Sequence, residues 1–263
     1  MPAGASIDLE GVGIQISGQR IVSDITLSIA AGEFVCLLGP SGCGKSTLLN
    51  AIAGFIPVEG RLRAGGREIR GPGIDRGVVF QNSDALFPWL TALENVEYGP
   101  RIRGVDKTER REAAKHYLDL VGLGHAIDKF PPELSGGMRQ RLQIARVLVN
   151  EPSVILMDEP FGALDAQTRE VMQHELDRIW RATRATIVFV THDIGEAILL
   201  ADRVFTMTTG PAARIKSIVP IALPHPRDET DPGAIAIHRE LRDDIGEEVS
   251  KVLRQQGLRE KTA

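Results

Sequence analysis

The sequence has few cysteines, few aromatic residues, little net charge and no long apolar run. Cys36 and Cys43 are the only cysteines among its 263 residues, too few for a disulfide framework and compatible with a cytosolic protein. The formal net charge of −4 gives no bulk attraction to a polyanion, so no nucleic-acid partner is expected. The length allows one large domain, or one domain with an inserted lobe.

Membrane-spanning and secretory patterns are missing as well. The longest apolar runs, such as residues 186–190, have the length of a β-strand and are well short of a membrane span. Residues 1–9 have neither a basic start nor an apolar core, so we expect no signal peptide. A role at a membrane would therefore require a partner that spans it.

What is present is a series of short apolar runs bounded by Gly, Pro or Asp. They predict buried strands of a largely parallel sheet, and helical stretches between several of them indicate an α/β fold. The runs are residues 34–38, 77–80, 154–157, 186–190 and 204–207.

Residues 84–150 have a different pattern, which we interpret as a helical lobe inserted into the α/β core. Helices are predicted at residues 107–121 and 137–149. After a proline-rich turn at residues 223–226, the tail predicts an amphipathic helix. This helix could pack on its own domain, which is the simpler interpretation, or bind a partner. Its apolar positions are Ile237, Leu241, Ile245, Val249 and Val252.

Residues 39–46, GPSGCGKS, match the phosphate-loop pattern G-x-x-x-x-G-K-[ST] in full. A predicted strand precedes the loop, and a helix that Gly54 would end follows it. Glycines let backbone N–H groups face phosphate oxygens, Lys45 supplies a charge, and the Ser46 hydroxyl can ligate Mg²⁺. Cys43 fills a variable position. The expected nucleotide contacts of this loop are Gly39, Pro40, Ser41, Gly42, Cys43, Gly44, Lys45, Ser46 and Thr47.

Polar side chains follow other predicted strands. Asp158 and Glu159 end an apolar run, where paired carboxylates indicate a nearby cation. Asp158 suits the Mg²⁺ shell, and Glu159 suits polarisation of an attacking water. Gln81, whose amide can contact Mg²⁺ or water, and His192 also follow strands, and ligands gather at the carboxyl ends of parallel strands. A lone histidine is more often structural, but this placement favours a functional role for His192.

A second glycine-rich loop, LSGGM at residues 134–138, precedes a predicted helix. Ser135 resembles a helix N-cap, while Gly136 and Gly137 permit close approach of the backbone. By itself the pentapeptide is explained by an ordinary cap. The alternative is a second anion site.

Together these motifs resemble the ABC ATPase family over about residues 7–225. Residues 39–46 resemble its Walker A motif, and residues 154–159 resemble its Walker B motif with the catalytic glutamate. Residues 134–138 resemble its signature motif, and residues 162–165 resemble its D-loop. Gln81 resembles its Q-loop glutamine, and His192 resembles its switch histidine. The resemblance implies a P-loop NTPase (RecA-like) core with an inserted α-helical subdomain and an N-terminal antiparallel β region. It divides the chain into residues 1–83, 84–150, 151–225 and 226–263.

Further segments resemble the nitrate, sulfonate and taurine importer branch, with the taurine type nearest. Met138, in place of the usual glutamine of the signature motif, is a variant seen in that branch. The other segments are residues 71–73, 76–82, 87–90 and 224–227. The branch implies a peripheral ATPase on the cytoplasmic face of the inner membrane, bound to integral-membrane permease subunits and indirectly to a periplasmic or extracellular solute-binding protein. Alternatives are a soluble ABC ATPase without a transport role and an adaptor that binds ATP without turnover.

The family also implies a head-to-tail homodimer with two ATP molecules between the subunits. Lys45, Ser46 and Asp158 of one chain would hold the nucleotide. Its γ-phosphate would be capped by Ser135, Gly136 and Gly137 of the other chain, and Asp165 would connect the subunits. This arrangement accounts for two anion loops but one loop lysine in each chain.

Two further expectations follow from the resemblance. Ile16 occupies the position where the family has an aromatic residue that stacks on adenine, so we expect looser base discrimination. Residues 81–89 are expected to face the membrane partner through Leu86, Phe87 and Trp89. For Trp89, local packing on the helical lobe is the alternative.

Overall fold

The structure is a computed structural model that describes residues 4–81, 85–162, 164–228 and 230–255. The strands are β1 (Ile7–Ile16), β2 (Gln19–Ile29), β3 (Phe34–Leu38), β4 (Glu59–Ala64), β5 (Arg67–Glu68), β6 (Arg76–Val79), β7 (Val154–Asp158), β8 (Thr186–Thr191), β9 (Arg203–Met207) and β10 (Ile215–Pro220). The helices are α1 (Lys45–Ala53), α2 (Ala92–Ile102), α3 (Lys107–Leu120), α4 (Gly136–Leu148), α5 (Ala166–Thr183), α6 (Ile194–Leu200) and α7 (Pro232–Gln255), with short 3₁₀ turns at Gly124–Ala126 and Pro131–Glu133.

The larger sheet has the strand order β10-β9-β3-β8-β7-β6. Its strands run parallel except for β10, which pairs antiparallel with β9. β3, β7 and β8 are apolar over nearly their whole length because both faces of this sheet are covered. Every strand predicted from the apolar runs is present, with ends that differ by at most one residue.

The N-terminal part of the chain forms a second, antiparallel sheet with the order β2-β1-β4-β5. Leu9 on β1 pairs with Leu27 on one side and Leu62 on the other. The side chains of Leu9 and Leu62 are buried in a cluster that also contains Leu48 and Ile52 of α1. The predicted antiparallel β region is thus confirmed, and it packs on the helix that follows the phosphate loop.

The region between β6 and β7 is helical, as predicted, and contains α2, α3 and α4. The helix α2 is not among the predicted ones, although Thr91 and Glu94 form a capping box whose T-x-x-E pattern is visible in the sequence. The α4 face is buried as expected, through Leu142, Ala145 and Val149. The boundaries at 84, 151 and 226 stay predictions.

The tail helix α7 packs on its own domain. Leu241 is buried, and Asp244 accepts a hydrogen bond from Ser217 and lies 2.9 Å from Nζ of Lys216 on β10. Val249 departs from the prediction, because it is exposed although it shares the apolar spacing. In the described ranges, no helix is long and apolar enough to cross a bilayer.

Candidate functional site

The predicted phosphate loop connects β3 to α1. Gly42 and Gly44 have φ angles of +78° and +99°, which residues with a Cβ rarely adopt, and they turn the chain into the helix. Gly39 is constrained differently, because a Cβ there would lie 3.1 Å from Sγ of Cys43 and 3.2 Å from the carbonyl oxygen of Met207. Glycine at these positions therefore permits a tight turn in close contact with its surroundings.

Lys45 begins α1 and is only 5% exposed. Its Nζ donates hydrogen bonds to the carbonyl oxygens of Gly39 at 2.7 Å and Pro40 at 2.9 Å. Cys43 is buried beside it, and burial raises the pKa of the Cys43 thiol. A neutral, packed thiol agrees with the interpretation that Cys43 fills a variable position of the loop.

The hydroxyl of Ser46 lies beside the end of β7. Its Oγ donates a hydrogen bond of 2.9 Å to Oδ1 of Asp158. Burial raises the pKa of Asp158, and the hydrogen bond from Ser46 opposes this effect. A hydroxyl and a carboxylate oxygen are hard ligands of the kind that Mg²⁺ prefers, so the residues present here fit a magnesium ion.

Glu159 contacts two other predicted site residues, Gln81 and His192. Gln81 Nε2 donates a hydrogen bond of 3.0 Å to its Oε2, and His192 Nδ1 lies 3.5 Å from the same oxygen. The Glu159 backbone has a φ of +44°, which is uncommon outside glycine, and its N–H donates to Val190 O at 2.9 Å. The carboxyl ends of β6, β7 and β8 thus bring together side chains that are far apart in sequence.

The second glycine-rich loop and the D-loop residue cap neighbouring helices. Ser135 Oγ accepts a hydrogen bond from the Met138 backbone at 3.3 Å, which confirms the predicted N-cap of α4. Asp165 caps α5 by accepting hydrogen bonds from the backbone and hydroxyl of Thr168, and these bonds lower the pKa of Asp165. A Cβ at Gly137 would lie 3.1 Å from the Leu164 side chain, so the two loops are in contact.

Ser135 is not joined to the phosphate loop within one chain. In the described ranges, its side chain forms no hydrogen bond with Lys45, Ser46 or Asp158. Of the other predicted positions, Ala163 of the D-loop and residues 82–84 of the segment expected to face the membrane partner lie outside the described residues.

Ile16 ends β1 and is 41% exposed. Next to the phosphate loop there is a cavity of about 300 Å³ whose wall does not include Ile16. Outside the loop, the cavity is lined by Gln19, Ile21, Thr209, Gly210, Pro211 and Val252, none of which was predicted as a site residue. No local pattern marks them as such, because β2, the β9–β10 turn and α7 meet there only in the folded chain.

An apolar groove of about 360 Å³ lies between β6 and the helices α2 and α4. Its apolar lining comes from Ile74, Val78, Phe80, Tyr98, Ile102 and Val147. The Phe87 ring packs on Tyr98 of this groove, and its centroid lies 5.6 Å from that of the Trp89 ring. Trp89 is 70% exposed. Leu86 differs from the expectation, because it is buried in the core and unavailable to a partner.

Comparisons with known proteins identify the family and several relatives of the chain. The family model described as "ABC transporter" matches residues 22–162. The chain is 51% identical over 211 residues to the bicarbonate transport ATP-binding protein CmpD of Synechocystis sp., covering 79% of this chain and 74% of the relative. It is 47% identical over 228 residues to the nitrate transport protein NasD of Klebsiella oxytoca, covering 85% and 87% respectively.

A solved structure extends the comparison to a nucleotide-bound dimer. It is the dimeric post-hydrolysis state of the ATP-binding cassette MJ0796 bound to ADP and Pi, with a TM-score of 0.73 and 32% identity. The similarity covers 82% of this chain and 99% of that one. The α/β P-loop NTPase fold predicted from the sequence is therefore confirmed.

Proposed function

We propose that this chain, which belongs to the ABC transporter family, energises the import of a small anion as the ATP-hydrolysing subunit of the transporter. The observation that carries the proposal is the meeting of Gln81, Glu159 and His192 beside the phosphate loop. Nitrate and bicarbonate are the solutes named for two relatives. Taurine or an alkanesulfonate remains the proposal from the segments that resemble the taurine type.

The residues of one chain supply the chemistry of hydrolysis. Lys45 binds phosphate oxygens, and Glu159 orients and polarises the attacking water. His192, whose Nδ1 lies 3.5 Å from Oε2 of Glu159, would sense the γ-phosphate. Mg²⁺ would be held by Ser46 and Asp158, with the amide oxygen of Gln81 as a further ligand. When bound, the ion would neutralise charge that develops on the transferred phosphoryl group.

The second half of the site comes from another copy of the chain. Ser135 and the glycines after it lie at the N-terminus of α4, where backbone N–H groups favour an anion. The dimeric, ADP- and Pi-bound structure of the related cassette MJ0796 supports the pairing of two chains. Asp165, beside the same loop, would contact the opposite subunit.

The membrane partner would dock on the apolar groove beside β6. An amphipathic helix of a permease subunit is the occupant that we propose, since the groove is largely apolar and the exposed Trp89 contacts Phe87, which packs on Tyr98 of the groove. The chain would then lie peripherally on the cytoplasmic face of the membrane. A solute-binding protein on the other side would act on it only indirectly.

Reconstitution in proteoliposomes tests this function. The chain is co-purified with the permease subunits that it retains from its host cells, and phosphate release is measured with binding protein loaded with nitrate, bicarbonate or taurine. We expect at least one anion to stimulate ATP turnover and to accumulate inside. Turnover that no anion stimulates, with no permease retained by the chain, would favour the soluble ABC ATPase. Absence of phosphate release altogether would favour the adaptor.

A pair of substitutions tests the docking surface. Trp89→Ala should abolish retention of the permease while the isolated chain still hydrolyses ATP. Ile218→Ala, which also truncates an exposed apolar side chain but on β10, is the matched control. Equal loss of permease in both variants, or in neither, contradicts the docking proposal.

A further inference from the structure

Arg169, in the first turn of α5, lies between two loops of the site. Its Nη2 donates a hydrogen bond of 3.2 Å to the carbonyl oxygen of Leu164, the residue before Asp165. The same guanidinium points toward the segment that follows β8. Its Nη1 lies 3.9 Å from Oδ2 of Asp193, and its Nε lies 3.9 Å from Oε1 of Glu196. One side chain therefore contacts the D-loop and the acids that follow the switch histidine.

Glu196 is linked to both sequence neighbours of His192 through the Thr191 hydroxyl. Glu196 is 6% exposed, and its Oε2 accepts a hydrogen bond of 2.6 Å from the Thr191 hydroxyl. That hydroxyl in turn accepts a hydrogen bond of 3.0 Å from the backbone N–H of Asp193. On the other side, Gln173 of α5 donates to Oε1 at 3.4 Å. A displacement of Glu196 would thus move the two neighbours of His192 in sequence.

The contact between Arg169 and Glu196 is incomplete. Among the described residues, the buried Nε of Arg169 has no hydrogen-bond partner. Buried donors are rarely left unpaired, and a charge-assisted N–H···O bond spans about 2.8 Å. A relative shift of about 1 Å between α5 and α6 would complete the bond. The two helices begin at the D-loop and just after the switch histidine, so motion at either loop changes this distance.

We propose that Arg169 is a positioning residue for His192. When a second subunit contacts Asp165, Arg169 transmits the displacement to Glu196, and Glu196 transmits it to His192. The inference rests on the proposed dimer. When the opposite subunit contacts the D-loop, Arg169 moves into hydrogen-bonding distance of Glu196. The segment from Thr191 to Asp193 then shifts and positions the His192 imidazole beside Glu159. Arg169 itself contacts neither nucleotide nor water. Hydrolysis would then proceed only in a completed dimer.

A double-mutant cycle with His192 tests the proposal, with phosphate release by the purified chain as the assay. Arg169→Met should lower kcat by roughly three- to thirtyfold, a size typical of coupling residues, and leave KM for ATP within about twofold. In a His192→Ala background, the same substitution should lower kcat by no more than about twofold, because its route of action is gone. Arg169→Lys should recover part of the loss. Arg178→Met is the control, because Arg178 is also on α5 but is exposed and pairs only with Glu175 among the described ion pairs.

A second substitution covers the case in which Arg169→Met does not fold. Glu196→Gln keeps an acceptor for Thr191 and removes the charge that attracts Arg169, and it should show the same dependence on His192. The inference would be overturned if the substitution lowered kcat by the same factor in the wild-type and His192→Ala backgrounds. It would also be overturned if the substitution lowered the melting temperature and left kcat unchanged. If the wild-type chain releases no phosphate at all, it is the proposed function that fails.

Discussion

Ser46 and Asp158 are joined by a hydrogen bond of 2.9 Å between Oγ and Oδ1, although 112 positions separate them in the sequence. The bond links the first turn of α1 to the end of β7. It places a hydroxyl and a carboxylate where the phosphates of a nucleotide in the loop would bring a magnesium ion. This pair of residues is therefore expected to bind Mg²⁺.

Ser46→Ala should raise the Mg²⁺ concentration for half-maximal turnover and lower kcat by at least about tenfold, because one oxygen ligand is lost. The fold should persist, since the Ser46 side chain is exposed. Phosphate release across a Mg²⁺ titration measures the effect, with circular dichroism as the check on folding. Ser46→Thr restores a hydroxyl and should recover most of the turnover. An unchanged Mg²⁺ requirement in Ser46→Ala would remove this residue from the metal site.

Glu159→Gln should bind ATP but hydrolyse it about 10²–10⁴ times more slowly, because an amide cannot polarise the attacking water. The amide keeps the shape of the side chain, so the contacts with Gln81 and His192 can be retained. Trapped ATP should then hold two chains together, and size-exclusion chromatography in Mg-ATP should show a dimer. Rapid turnover by this variant, or a monomer at saturating Mg-ATP, contradicts the proposed role.

Ser135→Asp should preserve the cap of α4, since aspartate also accepts from the backbone N–H at N3, but it should repel the γ-phosphate of the opposite subunit. Turnover should therefore fall without loss of thermal stability. Ser135→Asn, a neutral residue that also caps helices, is the matched control.

Mixing two inactive chains tests the head-to-tail arrangement directly. Ser135→Asp disrupts the second glycine-rich loop, and Lys45→Ala disrupts the phosphate loop. A dimer of one chain of each kind therefore contains one intact composite site. At equimolar mixing, about a quarter of wild-type turnover should return if subunits pair at random and sites act independently. No recovery, with both variants folded and dimerising, would mean that the site is not shared between chains.

Ile16→Tyr should strengthen ATP binding and its discrimination from GTP, because base–aromatic stacking contributes on the order of 1–3 kcal/mol. The wild-type chain should discriminate less than this variant, since isoleucine offers contact area without a π face. Competition between ATP and GTP in hydrolysis measures the preference. Ile16→Leu, which adds no ring, should resemble the wild type. A strong preference for ATP in the wild type, unchanged by tyrosine, contradicts the assignment of Ile16.

Acid should destabilise the chain through His225. Burial and the adjacent Arg227 lower the pKa of His225. The carboxylate of Asp177, 2.8 Å from Nδ1, opposes this only in part, as does the charge of Asp202. The folded pKa lies below the unfolded value of about 6.5, so the unfolded chain binds more protons and stability falls as pH drops below that value.

Melting temperatures from pH 8 to pH 5 check the sign. His225→Asn, which cannot titrate and can still contact Asp177, should show a flatter profile than the wild type below about pH 6.5. Parallel profiles for the two proteins would exclude a contribution from His225.

Local patterns predicted five strands of the larger sheet, whereas the antiparallel β region was expected only from the family resemblance and β10 was not predicted. The apolar runs predicted β3, β7 and β8 almost to the residue because buried parallel strands need apolar side chains on both faces. The helix α2 was missed because Pro100 and the glycine before it disguise its pattern. Leu86 was assigned to the docking surface because spacing along a loop does not distinguish an inward side chain from an outward one.

The sequence by itself determined the chemistry that is local to the chain: the glycines that shape the phosphate loop, Lys45 beside them, and the polar residues that follow each buried strand. Only the tertiary structure decided which of these side chains meet. Gln81, Glu159 and His192 converge because parallel pairing aligns the ends of β6, β7 and β8, and Arg169 reaches Glu196 because α5 packs beside α6. Such contacts depend on strand order and helix packing, which are set by burial across the whole chain and leave no motif at any one position.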